Sequence, residues 1–478
     1  PERRAKLFRK QTGCKVYVMD YSVNAPQRSI DSQCQLPMTR FDVEHRFACA
    51  SDLPSSPLGS VSVRFANTIQ SVYMEDADLS GINTVEASFI DPQHRLLIQE
   101  ILGSQWKHLI PDSSVNGVFV GCMWNEDFRE LLSSFPVVWT LPNAALATGS
   151  GLDFLAGRIA FVCDWTGPAI GVNTACSSSL VTCGLGHGSL FKSQCDVAVC
   201  AGTNLIISRC THSMICRLNA LASDGRCKTL DAAADGYGRA EAVATCYLSS
   251  RDTGQEALVD VAMNQDGRAS SLLAPRSSAQ TAVIVEACFS RVDRVEAYEL
   301  HGTGTQLGDP IEIGALYDAS SWTRADSALV TVGSVKSSIG HAEGAAGLIG
   351  FLGLLVELRR RKVEPITHMA CLNPYIVEIS ASHPQFHFSY GRTSKQAVGA
   401  GCVAHAGVSA FGMSGTNSSA LMQRSLGSHA MAIDRTILYS EMKQCSIQPR
   451  AYRSVQRFHR TNEEANFHIR VRRHDGAQ

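Results

Sequence analysis

Residues 167–190, GPAIGVNTACSSSLVTCGLGHGSL, combine a turn, a short apolar run and a helical repeat around one cysteine. Leucine and valine recur at helical spacing after residue 179, so the pattern predicts a strand, a tight turn and a buried helix. Cys176 then lies at or just before the helix N-terminus, where free N–H groups and the helix dipole favour a thiolate and lower the cysteine pKa. A structural buried cysteine is the commoner role of this residue type, so the stretch alone leaves both interpretations open.

The composition is typical of an ordinary soluble enzyme. The chain has 478 residues, 45% of them hydrophobic, and a formal net charge of −1. That length allows a large domain or two packed halves. The chain has no basic excess for a nucleic-acid backbone, so we expect no nucleic-acid partner. The longest apolar run, within residues 347–358, is too short for a transmembrane segment and predicts a core helix.

Seventeen cysteines are present, and none of them forms a CxxC pair or a zinc-finger spacing with histidine. We therefore expect no structural metal site, and free thiols in a reducing compartment such as the cytoplasm or a plastid. Residues 1–12 are basic but lack the apolar core of a signal peptide, and we expect them to be disordered.

Strand-like and helical segments alternate along most of the chain, which predicts an α/β fold with helices on both faces of its sheets. Strands are predicted at 16–21, 117–121, 196–208, 242–248, 295–300 and 329–335, helices near 83–102, 153–160, 279–289 and 344–360, and a glycine-rich loop entering a last strand at 407–423. The strand, loop and helix of 329–360 mirror those around Cys176, which hints at an internal duplication. Residues 425–478 lack clear periodicity and are expected to form a polar, arginine-rich tail.

Two histidines lie in glycine-rich segments. His301 opens HGTGTQLGDP, and His341 lies in KSSIGHAEGAAG, five residues after Lys336. Glycine lets a backbone approach a ligand closely, and Thr303 and Thr305 can bind a polar linker. A lone histidine is more often structural, but two in such loops, together with Cys176, favour a catalytic site.

Four segments resemble blocks of the β-ketoacyl synthase family, specifically the ketosynthase domains of type I polyketide and fatty-acid synthases. They are TACSSSL, HGTGTQLGDPIE, VGSVKSSIGHAEGAAG and GVSAFGMSGTN, in the family's order, with DPQHR, AGRIAF, DGRCKT and NQDGR in support. The resemblance covers roughly residues 14–424. It implies a thiolase-like αβαβα fold of two similar halves, 13–258 with the nucleophilic cysteine and 259–424 with the two histidines.

The resemblance also implies residue roles in a decarboxylative Claisen condensation. Cys176 would take an acyl chain from a phosphopantetheine thioester, and His301 and His341 would hold the thioester carbonyl of malonyl-acyl carrier protein as carbon dioxide leaves. Lys336 would help to fix the tautomer and charge of His341. The backbone N–H groups of Cys176 and Met413 would form the oxyanion hole.

The remaining expectations from the resemblance concern substrate and partners. Thr303 and Thr305 would bind the pantetheine arm, and Phe411 and Met413 would line the acyl pocket entrance. The family implies a homodimer that works with an acyl carrier protein. It also implies no metal or redox cofactor, because the substrates are carried on the phosphopantetheine of that partner.

Several positions depart from the family pattern without removing a catalytic side chain. They are Asn173 for Asp, Ala240 and Ala242 for Gly, Ser338 for Asn, Met413 for Phe and Ser414 for Gly, and the segment 251–258 is short. A positive φ at Ser414 would cost on the order of 1–3 kcal/mol. The departures bear on loop geometry, rate and chain-length preference.

Two other functions stay open at this point. The first is a non-condensing ketosynthase-like subunit that binds acyl chains or has a structural role. Such members commonly lose the cysteine or the first histidine, and this chain keeps both. The second is a Cys/His thioester hydrolase on another fold, which would need one histidine base rather than two convergent donors. The sequence does not determine the acyl chain, the product, or whether the chain is a discrete ketosynthase or a piece of a larger synthase.

Overall fold

The structure is a computed structural model. It describes residues 16–24, 41–42, 63, 65–68, 82, 84–104, 114–133, 145–251, 256–289, 295–321, 330–381, 386–388 and 403–425. All of these belong to one compact unit that ends at Ser425. The predictions for residues 1–12 and for the tail after residue 425 lie outside the described residues.

The described strands and helices follow one another in the predicted alternation. The strands are β1 (Val16–Asn24), β2 (Phe41–Asp42), β3 (Phe65–Ala66), β4 (Asn116–Cys122), β5 (Ala169–Val172), β6 (Val197–Asn204), β7 (Ala242–Ser249), β8 (Glu256–Gln265), β9 (Ala297–Glu299), β10 (Val330–Gly333), β11 (Phe386–Phe388), β12 (Val403–Phe411) and β13 (Thr416–Ser425). The helices are α1 (Thr84–Ala87), α2 (Pro92–Gly103), α3 (Asp127–Ser133), α4 (Ala145–Thr148), α5 (Leu152–Cys163), α6 (Ser178–Phe191), α7 (Arg209–Arg217), α8 (Ser277–Ile284), α9 (Gly308–Ser320), α10 (Lys336–Ile339), α11 (Ala346–Arg360) and α12 (Pro374–Ala381). A π-helical turn (Val285–Phe289) extends α8, and a 3₁₀ turn (Glu343–Ala345) precedes α11.

One large sheet contains two copies of the same strand arrangement. Its order is β11-β10-β9-β12-β13-β8-β1-β7-β6-β4-β5. The five strands of each half can be numbered first to fifth in chain order. With that numbering, both halves have the spatial order third, second, fourth, fifth, first, which is β5-β4-β6-β7-β1 in one half and β10-β9-β12-β13-β8 in the other. In each copy the first three strands of this order are parallel and the last two pair antiparallel. The copies join where β1 pairs antiparallel with β8, and β11 adds one parallel strand beside β10. The predicted duplication is therefore present in the topology.

Helices cover both faces of each half of the sheet. On the outer faces, α2 and α5 share one apolar core with β4, β6 and β7, and α8 and α9 share another with β9 and β10. Between the halves, α6 packs on β4 and β6, α11 packs on β12, and the two helices pack on each other. These five layers are the predicted αβαβα architecture.

The two central helices cross at very short range. A Cβ added to Gly347 of α11 would lie 2.7 Å from the Cβ of Leu180 on α6. Next to it, the backbone N–H of Leu348 donates to Ser179 Oγ at 2.9 Å. Since α6 begins just after Cys176 and α11 just after His341, this crossing couples the two sides of the candidate site.

Two sequence predictions are wrong in detail. Residues 407–411, predicted as loop, belong to strand β12, which pairs with β9 and β13. Gly407 is needed for close packing rather than for a turn, because an added Cβ would lie 2.4 Å from the ring of Tyr298. The strand predicted to reach residue 208 ends at Asn204. Among the described residues, no helix combines the length and apolar character required to cross a bilayer.

Candidate active site

Cys176 lies in a strained turn between β5 and α6. The preceding residue, Ala175, has a φ of +56°, a left-handed conformation that costs a non-glycine residue energy. Side chains hold this turn. Asn173 Oδ1 accepts from the Ala175 N–H at 3.2 Å, Ser178 Oγ donates to the Ala175 carbonyl at 2.6 Å, and the Thr174 N–H donates to Ser178 Oγ at 2.8 Å. The strained residue, Ala175, directly precedes Cys176 and so sets the direction of its side chain.

The thiol of Cys176 is buried, with 7% of the residue exposed. Burial is the main cause that raises the pKa of Cys176 to about 12, and the charge of Glu343 raises it further. The backbone N–H groups of Met413 and of Cys176 itself, together with the charge of Lys336, act in the opposite direction. The predicted lowering of this pKa is therefore wrong, because desolvation outweighs the donors at the helix end.

The tight turn between β12 and β13 brings the Met413 N–H to the sulfur. A Cβ added to Gly412 would lie 2.3 Å from the Thr174 carbonyl oxygen, so only glycine lets this turn pack against the cysteine turn. The positive φ falls on Gly415, at +87°. Ser414 is exposed and is not in the left-handed region, so the strain considered for it does not arise.

His301 and His341 face each other beside this turn. His301 follows β9, and His341 lies between α10 and the 3₁₀ turn. Their ring centroids are 5.4 Å apart at an interplanar angle of 90°, and the ring of Phe411 lies 5.7 Å from that of His301. Within the described residues, Nδ1 of His301 and both ring nitrogens of His341 are buried without a hydrogen-bond partner. Unpartnered buried nitrogens are costly, which suits a site that binds a polar group.

Both imidazoles are neutral at physiological pH. Burial lowers the pKa of His341 to about 3, and the charge of Lys336 is the next cause. The same two causes hold the pKa of His301 well below its usual value, with a smaller contribution from His341. A neutral imidazole carries one N–H donor and one acceptor, so each ring can donate one hydrogen bond to a developing anion.

Comparison with known proteins identifies the family. The profile described as beta-ketoacyl synthase, N-terminal domain, matches residues 28–253, and the one described as beta-ketoacyl synthase, C-terminal domain, matches residues 256–370. The chain belongs to the β-ketoacyl synthase family. The resemblance of its motifs is thereby confirmed.

Polyketide synthases are among the relatives of this ketosynthase. It is 33% identical over 382 residues to one phenolphthiocerol/phthiocerol polyketide synthase component of Mycobacterium tuberculosis, covering 76% of this chain and 20% of the relative. It is 34% identical over 401 residues to a second component of the same mycobacterial synthase. That match covers 81% of this chain and 25% of the relative. The chain thus spans a fifth to a quarter of the length of these curated relatives.

Solved ketosynthase domains share the thiolase-like fold. The oxazolomycin ketosynthase domain from Streptomyces albus has a TM-score of 0.73 at 26% identity, covering 87% of this chain and 75% of that one. The ketosynthase from module 6 of the bacillaene synthase of Bacillus subtilis has a TM-score of 0.71 at 25% identity, covering 86% and 72%.

Lys336 of the ketosynthase is buried at the start of α10. Its charge lowers the pKa of Cys176, His301 and His341, and its catalytic role stays a prediction. It also acts on Glu299 at the end of β9, whose pKa burial raises to about 7. Glu299 accepts from the Val335 N–H at 2.7 Å and so ties β9 to the start of α10. Sequence reasoning missed Glu299, although an acid at the end of an apolar strand is a signal.

Two buried carboxylates support the loop that carries His301. Glu312 accepts from the N–H of His301 at 2.6 Å and of Gly302 at 2.8 Å. Asp309 accepts from the N–H of Leu230 at 2.8 Å and of Gly304 at 3.1 Å. These acids were missed because their partners are backbone N–H groups, which no residue type in the sequence marks.

The two threonines predicted to bind pantetheine lie in the same loop. Their hydroxyl oxygens are 3.2 Å apart, and Thr305 Oγ1 also accepts from the Gly308 N–H at 3.2 Å. Thr303 is buried, and Thr305 is partly exposed.

The alanines that replace family glycines fit without strain. Ala240 donates its N–H to the His341 carbonyl at 2.8 Å, and Ala242 opens strand β7. Between them, Glu241 accepts from the Ile206 N–H at 2.9 Å. The Ser338 hydroxyl lies 3.5 Å from that of Thr367. In the part of the chain that the structure describes, no group of three His, Cys, Asp or Glu could hold a metal ion.

Proposed function

We propose that this ketosynthase condenses an acyl group on Cys176 with a malonyl thioester, with loss of carbon dioxide. The observation that carries the proposal is the pair of neutral histidines with unpartnered nitrogens, 5.4 Å apart, beside a thiol that contacts the Met413 N–H. The N–H groups of Cys176 and Met413 would stabilise the oxyanion formed in acyl transfer, and the two histidines would stabilise an enolate.

The first step loads the acyl chain. The Cys176 sulfur attacks the carbonyl carbon of an acyl thioester, a new carbon–sulfur bond forms, and the bond to the pantetheine sulfur breaks. The N–H groups of Cys176 and Met413 donate to the oxygen of the tetrahedral intermediate. The proton of the resting thiol leaves with the pantetheine thiol, so loading consumes no external acid.

The second step forms the carbon–carbon bond. The malonyl carbon–carbon bond breaks, carbon dioxide leaves, and the electron pair moves onto the thioester enolate, to which His301 and His341 each donate a hydrogen bond. The enolate carbon then attacks the acyl carbonyl. The carbon–sulfur bond to Cys176 breaks, and the thiolate takes one proton from solvent, which balances the negative charge that the malonyl carboxylate brought in. A charged histidine would bind the malonyl carboxylate itself, so neutral rings favour the product of decarboxylation over the reactant.

The proposed partners are an acyl carrier protein and a second copy of the chain. Thr303 and Thr305 are proposed to bind the phosphopantetheine arm that carries both substrates. For the second copy, β5 is the edge strand of the sheet among the strands that the structure describes and exposes Ile170, and Phe161 of the adjacent helix α5 is 85% exposed. An exposed apolar edge strand is a surface that proteins cover.

A two-step assay tests this function. Intact mass after incubation with acyl thioesters measures loading, and labelled carbon dioxide from a malonyl thioester measures decarboxylation. Cys176→Ala should abolish loading, whereas His301→Ala and His341→Ala should retain it and lower decarboxylation by roughly 10²–10⁴-fold, the effect of removing a positioned donor.

Cys371→Ala is the matched control, because Cys371 is an exposed thiol outside the site. It should load like the wild type. Full loading of Cys176→Ala would exclude Cys176 as the nucleophile. Equal loss of both steps in folded histidine variants would make the histidines structural, and loading without decarboxylation by the wild type would favour a non-condensing role.

A further inference from the structure

Behind His341 lies a fully buried ion pair that the proposed chemistry does not use. Arg239 Nε donates to Glu343 Oε1 at 2.7 Å and Arg239 Nη2 donates to Glu343 Oε2 at 2.8 Å, with 1% and 0% of the two side chains exposed. Glu343 is two residues after His341 and has a φ of +39°. Buried ion pairs contribute little net stability. This pair also lies in a strained turn beside a reactive ring, which indicates a functional role.

The carboxylate of Glu343 is saturated with donors. Besides the two bonds from Arg239, Trp124 Nε1 donates to Oε2 at 2.6 Å, and the Tyr237 hydroxyl donates to Oε1 at 3.1 Å. Burial alone would raise the pKa of Glu343, but Arg239 holds it below its usual value, with smaller contributions from His341 and the Trp124 N–H. Glu343 is therefore a fixed negative charge.

The guanidinium is fixed on its other side as well. Arg239 Nη1 donates to His212 Nδ1 at 3.2 Å, and His212 Nε2 donates to the Val63 carbonyl at 2.8 Å. Burial lowers the pKa of His212 to about 4, so this ring is neutral and accepts from Arg239.

The chain around Arg239 also holds His341 directly. The His341 N–H donates to the Gly238 carbonyl at 2.7 Å, and the His341 carbonyl accepts from the Ala240 N–H at 2.8 Å. The ring of Tyr237 meets the His341 ring edge to face, with centroids 4.9 Å apart. One segment therefore fixes the backbone, the ring and the following turn of His341.

The charges of the pair act on both reacting groups. The negative charge of Glu343 raises the pKa of His341 and of Cys176, and the positive charge of Arg239 lowers that of His341. Among the described residues, those that act on or contact the His341 ring include His301, Lys336, Tyr237, Arg239 and Glu343. Without Arg239, an uncompensated carboxylate would favour a protonated His341.

We infer that Arg239 and Glu343 are a positioning pair, which fixes the ring of His341 and keeps it an uncharged donor by cancelling each other's charge. The inference rests on the proposed decarboxylation. It assigns no contact with substrate to either residue.

The test compares three variants with the wild type over pH 4.5 to 8 in the decarboxylation assay. Arg239→Gln leaves Glu343 without its cation, and the carboxylate, where it stays ionised, raises the pKa of His341. The acid limb of the profile, the fall in decarboxylation rate as the pH drops, should therefore move toward higher pH than in the wild type. The double variant Arg239→Gln/Glu343→Gln removes both charges and should return the acid limb to its wild-type position.

Glu343→Gln gives a second measurement that does not depend on catalysis. It keeps an acceptor for Trp124 and removes the charge that raises the pKa of Cys176. Alkylation of Cys176 by iodoacetamide at pH 8.5 should therefore be faster than in the wild type. The gain should be about three- to fourfold for each unit by which the pKa falls, because the thiolate fraction rises while the nucleophilicity of the thiolate decreases. Glu378→Gln, which removes an exposed carboxylate of α12, is the control and should alkylate like the wild type.

The outcomes separate this inference from the proposed function. A wild-type protein that releases no carbon dioxide overturns the proposed function, while the alkylation assay still tests the pair. Variants with slower decarboxylation but an unshifted acid limb, or unchanged alkylation in Glu343→Gln, would show that the pair is merely structural.

Discussion

At the scale of single residues, the groups beside the nucleophile and the second histidine have strained backbones. Ala175 precedes Cys176 at a φ of +56°, and Glu343 follows His341 at +39°. Each costs on the order of 1–3 kcal/mol, which the surrounding hydrogen bonds offset. Neither could be predicted from the sequence, because alanine and glutamate carry no preference for the left-handed region.

Met413 is the residue whose substitution tests substrate selection. Its side chain is half-buried at the turn that supplies the N–H to Cys176. Methionine is unbranched and adaptable, so we expect broad acyl-chain tolerance and a modest rate penalty. Met413→Phe should sharpen the dependence of loading on acyl length, measured by intact mass over a graded thioester series. Ser414→Gly, on the exposed neighbour, is the control and should keep the broad profile; an unchanged profile in Met413→Phe would point to Phe411 instead.

The motifs predicted candidate catalytic residues but not their surroundings. Cys176, His301, His341 and Lys336 could be proposed because each lies in a short segment of distinctive composition. The acids Glu299 and Glu312 and the cation Arg239 were missed, since their roles depend on partners brought together only by the fold. The sign of the Cys176 pKa shift was missed for the same reason, because burial is a property of the packed molecule.

At the scale of elements, the crossing of α6 and α11 sets the distance between the two sides of the site. Gly347 meets both the side chain and the backbone of Leu180, at 2.7 and 2.8 Å from an added Cβ. The helical pattern of both segments was predictable from their leucines. Their contact was not, since a glycine inside a helix looks unfavourable in the sequence.

Gly347→Ala should therefore destabilise the protein by about 1–3 kcal/mol, because the new methyl group overpacks the crossing. It should also slow loading, since α6 starts two residues after Cys176. The matched control is Gly157→Ala in α5, where an added Cβ has no neighbour within 4 Å. Helix propensity predicts that this variant gains up to about 1 kcal/mol. Urea unfolding measures both, and equal stability of the two variants would contradict the close crossing.

At the scale of the whole molecule, the sheet ends in strand β5 on one side. The alternation of strands and helices predicted the layered architecture, and the repeated strand order explains why it has two halves. The sequence did not indicate that three apolar side chains near this edge are exposed, because each lies in an apolar run typical of a core segment. They are Phe154, Phe161 and Ile170.

The proposed dimer predicts that Phe161→Glu lowers the mass in solution from two chains toward one, as measured by light scattering during size exclusion. Burying a charge at an apolar contact is costly, which is the reason for the loss. Tyr375→Glu on α12, also at an exposed apolar side chain but in the other half, should leave the mass unchanged. A Phe161→Glu protein with the mass of the wild type would place the interface elsewhere.

The duplication also concentrates electric field at one point. Each half contributes a central helix whose first turn lies beside the site, α6 after Cys176 and α11 after His341. The positive end of a helix is equivalent to roughly half an elementary charge, so two converging ends amount to about one. The enolate proposed for this site carries one negative charge. The two helices, which hold equivalent places in the repeated topology, would thus offset that charge with backbone dipoles, and the charged side chains nearby would adjust the protonation of the reacting groups.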